Sequence, residues 1–445
     1  MLESKAAHTG VKQLANDDRQ STQPGKVLFL LLLANLLNFF DRSLPAVVAE
    51  PIRLEFGLSD LQLGLLSTVF VVVYAIAGLP LGRLADTKSR RTVLVWGLVV
   101  WSLFTGFGGL AWSFVSLLII RIGVGIGEAC YAPVANSLIA DMYPSARRAR
   151  AVGIYMLGLP LGLMLAFFAV GPIVQMFESW RAPFLLAALP GLALAWFLAR
   201  LPEPQRGESD GVAASTAPVT QPFRSLLRIR TLWWVVASGL TINFAAYPTS
   251  GFLVPLLQRH FELSLSYAAS LTGIVVGVTG LIGLTVGGTL ADRMHHRGDS
   301  GRLVFGALML LLSAVLVFAA LWFGATSISV FVSLFALGWL GYYTYFTSVY
   351  PAIHDVVEPR LRATAMALYF AAMYLLGGAT GPIVVGALSD HLALSAMQAA
   401  GAPAMTEAFK SVGLYQAMYL VPVMLFFTAF FIYGASRSYG RDRQN

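Results

Sequence analysis

Apolar residues run in long blocks along this chain, and polar residues are confined to short interruptions between them. Twelve blocks stand out, at roughly 27–49, 61–82, 92–112, 114–141, 150–176, 182–201, 232–258, 265–290, 303–324, 327–353, 362–389 and 412–436. About 20 apolar residues in an α-helix cross the hydrocarbon core of a bilayer, so each block is long enough to span it. Backbone groups in lipid must be satisfied within their own segment, which predicts helices, and the strand alternation of an outer-membrane barrel is absent. The pattern predicts an all-α membrane protein of twelve transmembrane helices.

Composition agrees. The 445 residues are 57% hydrophobic and 12% charged, against about 25% charged in soluble domains. The first 26 residues are polar and lack the cleavage site of a secretory signal, so the first block reads as an uncleaved helix. The single Cys, Cys130, excludes an intrachain disulfide. The net charge of +8 is a topology signal and not a nucleic-acid footprint. The even-numbered connections and the two tails hold 24 of the 30 Lys and Arg residues; the other side has only Arg53, Arg181, Arg259 and Lys410. By the positive-inside rule both termini are expected in the cytoplasm. With no signal peptide and no organelle address, a bacterial inner membrane is the expected location.

The longest polar interruption, 202–230, separates six blocks from six. Its PEPQRGESDGVAASTAPVTQP reads as a flexible tether, and the following FRSLLRIR as a possible amphipathic helix at the membrane surface. The expected organisation is a tail at 1–26, a six-helix bundle at 27–201, the linker at 202–230, a second six-helix bundle at 231–437 and a tail at 438–445. The halves repeat. GRLADTKSRR follows the second block, with Gly82, Asp86, Arg90 and Arg91. GTLADRMHHR follows the eighth, with Gly288, Asp292, Arg293 and Arg297. Small Gly residues favour close helix approach, and the Asp–Arg pairs, with Arg147 and Arg150 of the next such turn, form a candidate charge cluster that gates the cytoplasmic side. This doubled Gly-x-x-x-Asp…Arg turn, on six plus six helices and a long central loop, resembles the major facilitator superfamily from about Val27 to Tyr433. The resemblance implies two pseudo-symmetric bundles that rock about a central site.

Four charges stand inside the apolar blocks: Asp41 and Arg42 in NFFDRSLPAVV, and Arg121 and Glu128 in RIGVGIGEACYAP. Each would cost about 2.5–3.5 kcal/mol facing lipid, so they are expected to face each other or a wet cavity. Helix 1 and helix 4 run in opposite directions, which places Asp41, Arg42 and Arg121 at one level in the outer half and Glu128 nearer mid-membrane. A structural ion-pair network fastening the two helices is the bland alternative. The functional reading makes Asp41, then Glu128, the proton carrier, with Arg42, Arg121 and Asn38 receiving a substrate anion. A carboxylate in such a site is poised between burial, which favours the proton, and an Arg neighbour, which opposes it.

The second half has no such charges near mid-membrane. It offers Asn243, Tyr247, Tyr342, Tyr345 and Tyr369, read as the substrate-facing side of an aromatic wall, with core packing as the rival explanation. One charged wall and one apolar wall suit an amphipathic anion, or a moderately hydrophobic organic acid. NFFDR, the Arg-x-x-x-Gly-x-Gly of helix 4, GEACYAP and ARRARAVGIY together resemble the spinster family. That resemblance implies proton-linked transport of lysophospholipids or sphingosine-1-phosphate; an exporter of drugs or small organic anions is the alternative. No clustered metal ligands, nucleophile–His pair or phosphate loop is found among the six His and the carboxylates, so neither an enzyme nor a cofactor or metal site is expected. The expected partners are substrate, protons and membrane lipids, with no nucleic acid, and the protein is expected to be a monomer.

Overall fold

The computed structural model describes residues 24–201, 203, 226–296, 298, 300–358 and 361–444. Residues 1–23 of the N-terminal tail, most of the 202–230 linker and Arg297 lie outside the described residues, as do the side chains of Asp86 and His295. Among the described residues, twelve helices are long and apolar enough to cross a membrane. In chain order they are α1 Pro24–Val47, α2 Asp60–Ala85, α3 Arg90–Gly108, α4 Phe114–Met142, α5 Arg150–Phe177, α6 Ala182–Ala199, α7 Arg230–His260, α8 Leu265–Met294, α9 Gly301–Phe323, α10 Ile328–Val356, α11 Thr364–Ala399 and α12 Glu407–Arg443. They are the twelve apolar blocks. Several extend past the apolar stretch because polar ends continue the helix into the interfacial region. A short helix, Ala49–Phe56, joins α1 to α2 and stops at Gly57, whose φ of 63° ends it in the left-handed conformation.

The helices form two six-membered bundles, α1–α6 and α7–α12, that meet chiefly through α2 against α11 and α5 against α8. Close approach at the first pair needs missing side chains. A Cβ on Gly64 would collide with the Pro382 carbonyl, and one on Gly386 with the Asp60 carbonyl. Lipid-facing surface is marked by exposed Trp96, Trp112, Trp322 and Phe323, while Trp101 and Trp339 are buried between helices. The end of the molecule carrying the basic connections and both described chain ends is called the basic end below, and the opposite one the far end.

The two repeat glycines differ from expectation. Gly82 meets open space, and Gly288 has only the Thr347 methyl at ordinary contact distance. Tight packing falls instead on the helix-4 glycines. A Cβ on Gly123 would strike the Phe104 ring, and one on Gly127 would sit 2.6 Å from the Trp101 backbone nitrogen. The reason is positional: helix 4 packs across α3 over its length, whereas Gly82 lies where α2 leaves the bundle at the basic end.

Candidate functional site

Arg42 is the centre of the site. Its Nε donates to Glu128 Oε2 at 2.7 Å, across 86 residues of sequence. Helical side chains lean toward their own N-terminus. On α1 that direction is the basic end and on the antiparallel α4 it is the far end, so the two long side chains lean toward one another. This is why the pairing crosses the level difference that residue counting assigns them. The Arg42 guanidinium carbon also lies 4.3 Å from the Tyr74 ring centre and 5.2 Å from those of Phe39 and Phe70. The Arg42 side chain keeps 15% of its surface exposed and Glu128 none. The guanidinium is thus held by one carboxylate and three ring faces, with one part open.

The other two charges are placed apart from Arg42. Asp41, one residue earlier, is turned into the first bundle, where Thr105 Oγ1 donates to its Oδ2 at 3.4 Å. Arg121 stacks its guanidinium 4.4 Å from the Phe70 ring centre. Asp41, Glu128 and Arg121 are all buried, as is Asn38. Five polar atoms in this region lack a hydrogen-bond partner: Asn38 Nδ2, Asp41 Oδ1, Trp101 Nε1, Arg121 Nε and Glu128 Oε1. Buried polar groups are normally satisfied; here Asn38 lies against Glu128 and Trp101 against Asp41, so the set is loosely paired within itself. Among the described residues no group of three or more His, Cys, Asp or Glu side chains is arranged to hold a metal ion.

The second bundle faces Arg42 with aromatic rings. Tyr374 stands 6.4 Å from Tyr74 and 6.5 Å from Tyr247, measured between ring centres. From Tyr374 the contacts continue to Phe370 at 6.2 Å, then to Tyr350 at 5.9 Å and Phe346 at 5.7 Å. Tyr74, Tyr247, Tyr374, Phe370, Tyr350 and Phe346 are all half-buried. From Tyr374 to Phe370 and Tyr350 this row descends toward the basic end, and Phe346 lies one turn back along α10. Three of the tyrosines singled out in the sequence lie behind it. Tyr369 donates to the Tyr345 hydroxyl at 2.9 Å, Tyr345 pairs with Ser238 at 3.1 Å, and both rings are fully buried. Tyr342 is stacked on Trp339 at 4.4 Å and is also buried. Asn243 is buried with its Nδ2 unpartnered. Tyr74 and Phe70 belong to the site without having been chosen from the sequence as binding residues. For Tyr74, the signal was a lone Tyr deep in an apolar block, the reasoning applied to Tyr342.

Among the described residues, the hydrogen bonds and ion pairs that join the bundles lie toward the far end. Arg259 of α7 holds Glu50 at 2.8 Å and grips both Asp60 oxygens, at 2.9 and 2.8 Å. Arg53 pairs with Glu50 and with Glu407 of α12. Asp390 of α11 accepts the Asp60 and Leu61 amides at 3.0 and 2.9 Å, and Ser389 donates to Asp60 at 2.6 Å. Four of these charges, Glu50, Arg53, Asp60 and Arg259, are almost wholly buried, with 8%, 2%, 4% and 4% of their side chains exposed. By contrast, the candidate gating residues of the basic end have their described partners within one bundle. Arg90 pairs with Asp141 and lies near Glu203, and Arg91 donates to the Leu201 carbonyl at 2.6 Å. Asp292 accepts from Arg302 at 2.7 Å. Arg147, Arg150 and Arg293 are exposed. Asp86 falls outside the described side chains.

Two bundles of six antiparallel helices, fastened at the far end and enclosing the half-buried Arg42, define a membrane transporter of the two-bundle type. The family model for the Major Facilitator Superfamily matches residues 31–382, and the chain belongs to that superfamily. It is 32% identical over 372 residues to an MFS-type efflux pump of Mycolicibacterium smegmatis, covering 82% of this chain and 84% of the pump. It is 30% identical over 377 residues to the hexuronate transporter of Bacillus subtilis, covering 82% and 88%. The crystal structure of a bacterial homologue of the human lysosomal transporter Spinster, inward-facing and unoccupied, superposes with a TM-score of 0.85 at 29% identity, covering 94% of this chain and 98% of that one. The chain is therefore a multi-pass membrane transporter that resembles spinster proteins.

Proposed function

We propose that this protein is a proton-coupled secondary transporter of an amphipathic, lipid-like anion of the lysophospholipid or sphingosine-1-phosphate type, working by alternating access. The observation that carries this reading is Arg42. It is the one partly exposed member of the four membrane charges, and it heads a row of half-buried aromatic rings. An anionic headgroup fits the guanidinium, and an apolar tail fits the rings. A headgroup arriving at Arg42 competes with Glu128, and the released carboxylate, fully buried, is then favoured to take a proton. Asp41, also buried, is the second carrier on this reading, with Arg121 a further anchor and Asn38, Asn243 and Tyr247 the polar surroundings of the site. The concentration of Lys and Arg in the basic-end connections supports an orientation with that end in the cytoplasm. On this proposal the protein acts as a monomer in a bacterial inner membrane. The charge cluster Asp86, Arg90, Arg91, Asp292, Arg293, Arg147 and Arg150 closes the basic end in the opposite conformation.

The efflux pump and the hexuronate transporter favour a second reading, a proton-coupled exporter of drugs or small organic anions, in which Arg42 takes a carboxylate and the rings a smaller body. Flux in proteoliposomes with an imposed pH gradient separates the two. The first reading expects a lysophospholipid to be carried in response to the gradient, with loss of transport in Arg42→Ala. It expects loss of pH dependence, with binding retained, in Glu128→Gln or Asp41→Asn. Flux of a hexuronate or an anionic drug without lysophospholipid flux establishes the second reading. Flux indifferent to the gradient removes the proton from both.

A further inference from the structure

A cavity of about 510 Å³ lies between α2, α3 and α4 at the basic end, away from Arg42. Its volume falls within the range of about 300–1,000 Å³ typical of small-molecule sites. The wall is apolar, built from Leu81 and Leu84 of α2, Trp96 and Val100 of α3, and Ile126 of α4. Leu84, Trp96 and Ile126 are exposed, Trp96 by 64%, on helices that cross the membrane, so the cavity opens sideways to lipid. Its rim is polar and basic. Lys88 and Ser89 line it at the start of α3, and Lys88 is exposed.

The rim already holds an anion. Glu203, just past the end of α6, accepts the Arg90 amide at 2.7 Å and the Ser89 hydroxyl. A carboxylate therefore occupies the amino end of α3, where free N–H groups and the helix dipole favour negative charge. Lys88, next to Ser89 in sequence, is exposed.

We propose that this cavity is a binding site for an anionic lipid of the bilayer leaflet at the basic end. The acyl chain lies along Leu81, Leu84, Trp96, Val100 and Ile126. The phosphate sits at Lys88 and the start of α3, in competition with Glu203. The occupant is a bilayer lipid and not the transported molecule, because the cavity opens to the membrane and its lining excludes every residue of the Arg42 site. Charge at the rim selects the headgroup: a basic residue near the surface attracts anionic lipid with about 1 kcal/mol, about fivefold in binding.

The test uses the full-length protein in liposomes containing phosphatidylglycerol with a photoreactive group in its acyl chain. Adducts are expected to concentrate in peptides carrying residues 81–100 and 126–130. Unlabelled phosphatidylglycerol is expected to compete about fivefold better than phosphatidylcholine, and Lys88→Glu, which reverses the charge, to lower labelling by at least about that factor. Val100→Trp, which fills the cavity, is expected to abolish the concentrated labelling. Should that variant fold poorly, the surface change Lys88→Glu still decides. Adducts spread evenly over the lipid-facing helices, or equal competition by the two lipids, overturn the proposal.

Discussion

A single arginine one residue away from an aspartate reaches a different carboxylate altogether, and the choice follows from side-chain geometry. Adjacent helical positions are about 100° apart, so Asp41 turns inward to Thr105 while Arg42 faces Tyr74 and Glu128. The buried half of the pair is the vulnerable one. Removing Arg42 leaves Glu128 uncompensated, and breaking a buried pair from one side costs about 3–5 kcal/mol. Arg42→Met is therefore expected to lower the melting temperature in detergent, and the double variant Arg42→Met/Glu128→Gln to recover most of the loss. Equal melting of the single and double variants would mean that Glu128 is satisfied without Arg42. Tyr74 offers a second measurement. A ring face under a partly desolvated guanidinium contributes about 1 kcal/mol, so Tyr74→Ala is expected to weaken anion binding about fivefold. Tyr74→Phe, which keeps the ring, is expected to stay near wild type; titration of a bound fluorescent anion distinguishes the two.

Helices set where the halves can move. The α2–α11 crossing is close because Gly64 faces the Pro382 carbonyl and Gly386 the Asp60 carbonyl. Gly64→Leu is expected to wedge this crossing apart. Distances between spin labels at the far ends of α2 and α11 should then lengthen, and an unchanged distribution would show that the far end closes through other contacts. At the opposite end, the start of α3 is tied to Glu203. Burial pushes the Glu203 carboxyl up, but the Ser89 hydroxyl and the amide and guanidinium of Arg90 outweigh it and hold the group below the usual Glu value. A lowered pKa contributes stability that is present above the ordinary value, about 4.3 for Glu, and is lost as the pH falls through the lowered one. Wild type is accordingly expected to melt above Glu203→Gln at neutral pH, with the gap closing below about pH 4. A gap independent of pH would assign the effect to packing.

Over the whole molecule, one end is shut by buried charge. Arg259 binds two carboxylates from the other bundle, and Arg53 bridges Glu50 and Glu407. Such a network is specific but costly to desolvate, which suits a latch that must also open. Asp60 is its most connected member, since it meets Arg259 and Ser389 through its side chain and Asp390 through its amide. Arg259→Gln is expected to shift the population toward a state open at the far end, read as increased labelling of a cysteine placed at Gly251 in a Cys130→Ser background. No rise in labelling would show that apolar packing of α2 and α5 against α11 and α8 suffices to hold the far end shut.

The number of spans, the two-bundle organisation and the presence of charge in the membrane follow from the chain alone. Each depends on composition over about twenty residues, which burial in lipid forces to be apolar except where function or pairing intervenes. The four membrane charges were legible for the same reason, since no apolar block conceals them. Pairing was not legible. Whether Arg42 meets Asp41, Arg121 or Glu128 depends on helix rotation and side-chain lean, and these emerge only when α1 and α4 pack. Nor could the sequence separate Tyr345 and Tyr369, locked behind the wall, from Tyr247 and Tyr374, which form it; all are Tyr residues in apolar helices, and burial differs only through neighbours. The far-end latch shows the same limit at larger range. Arg53 and Arg259 read as two of the few basic residues on the sparse side, and only the meeting of two bundles, more than 200 residues apart in sequence at Glu50 and Arg259, turns them into one network.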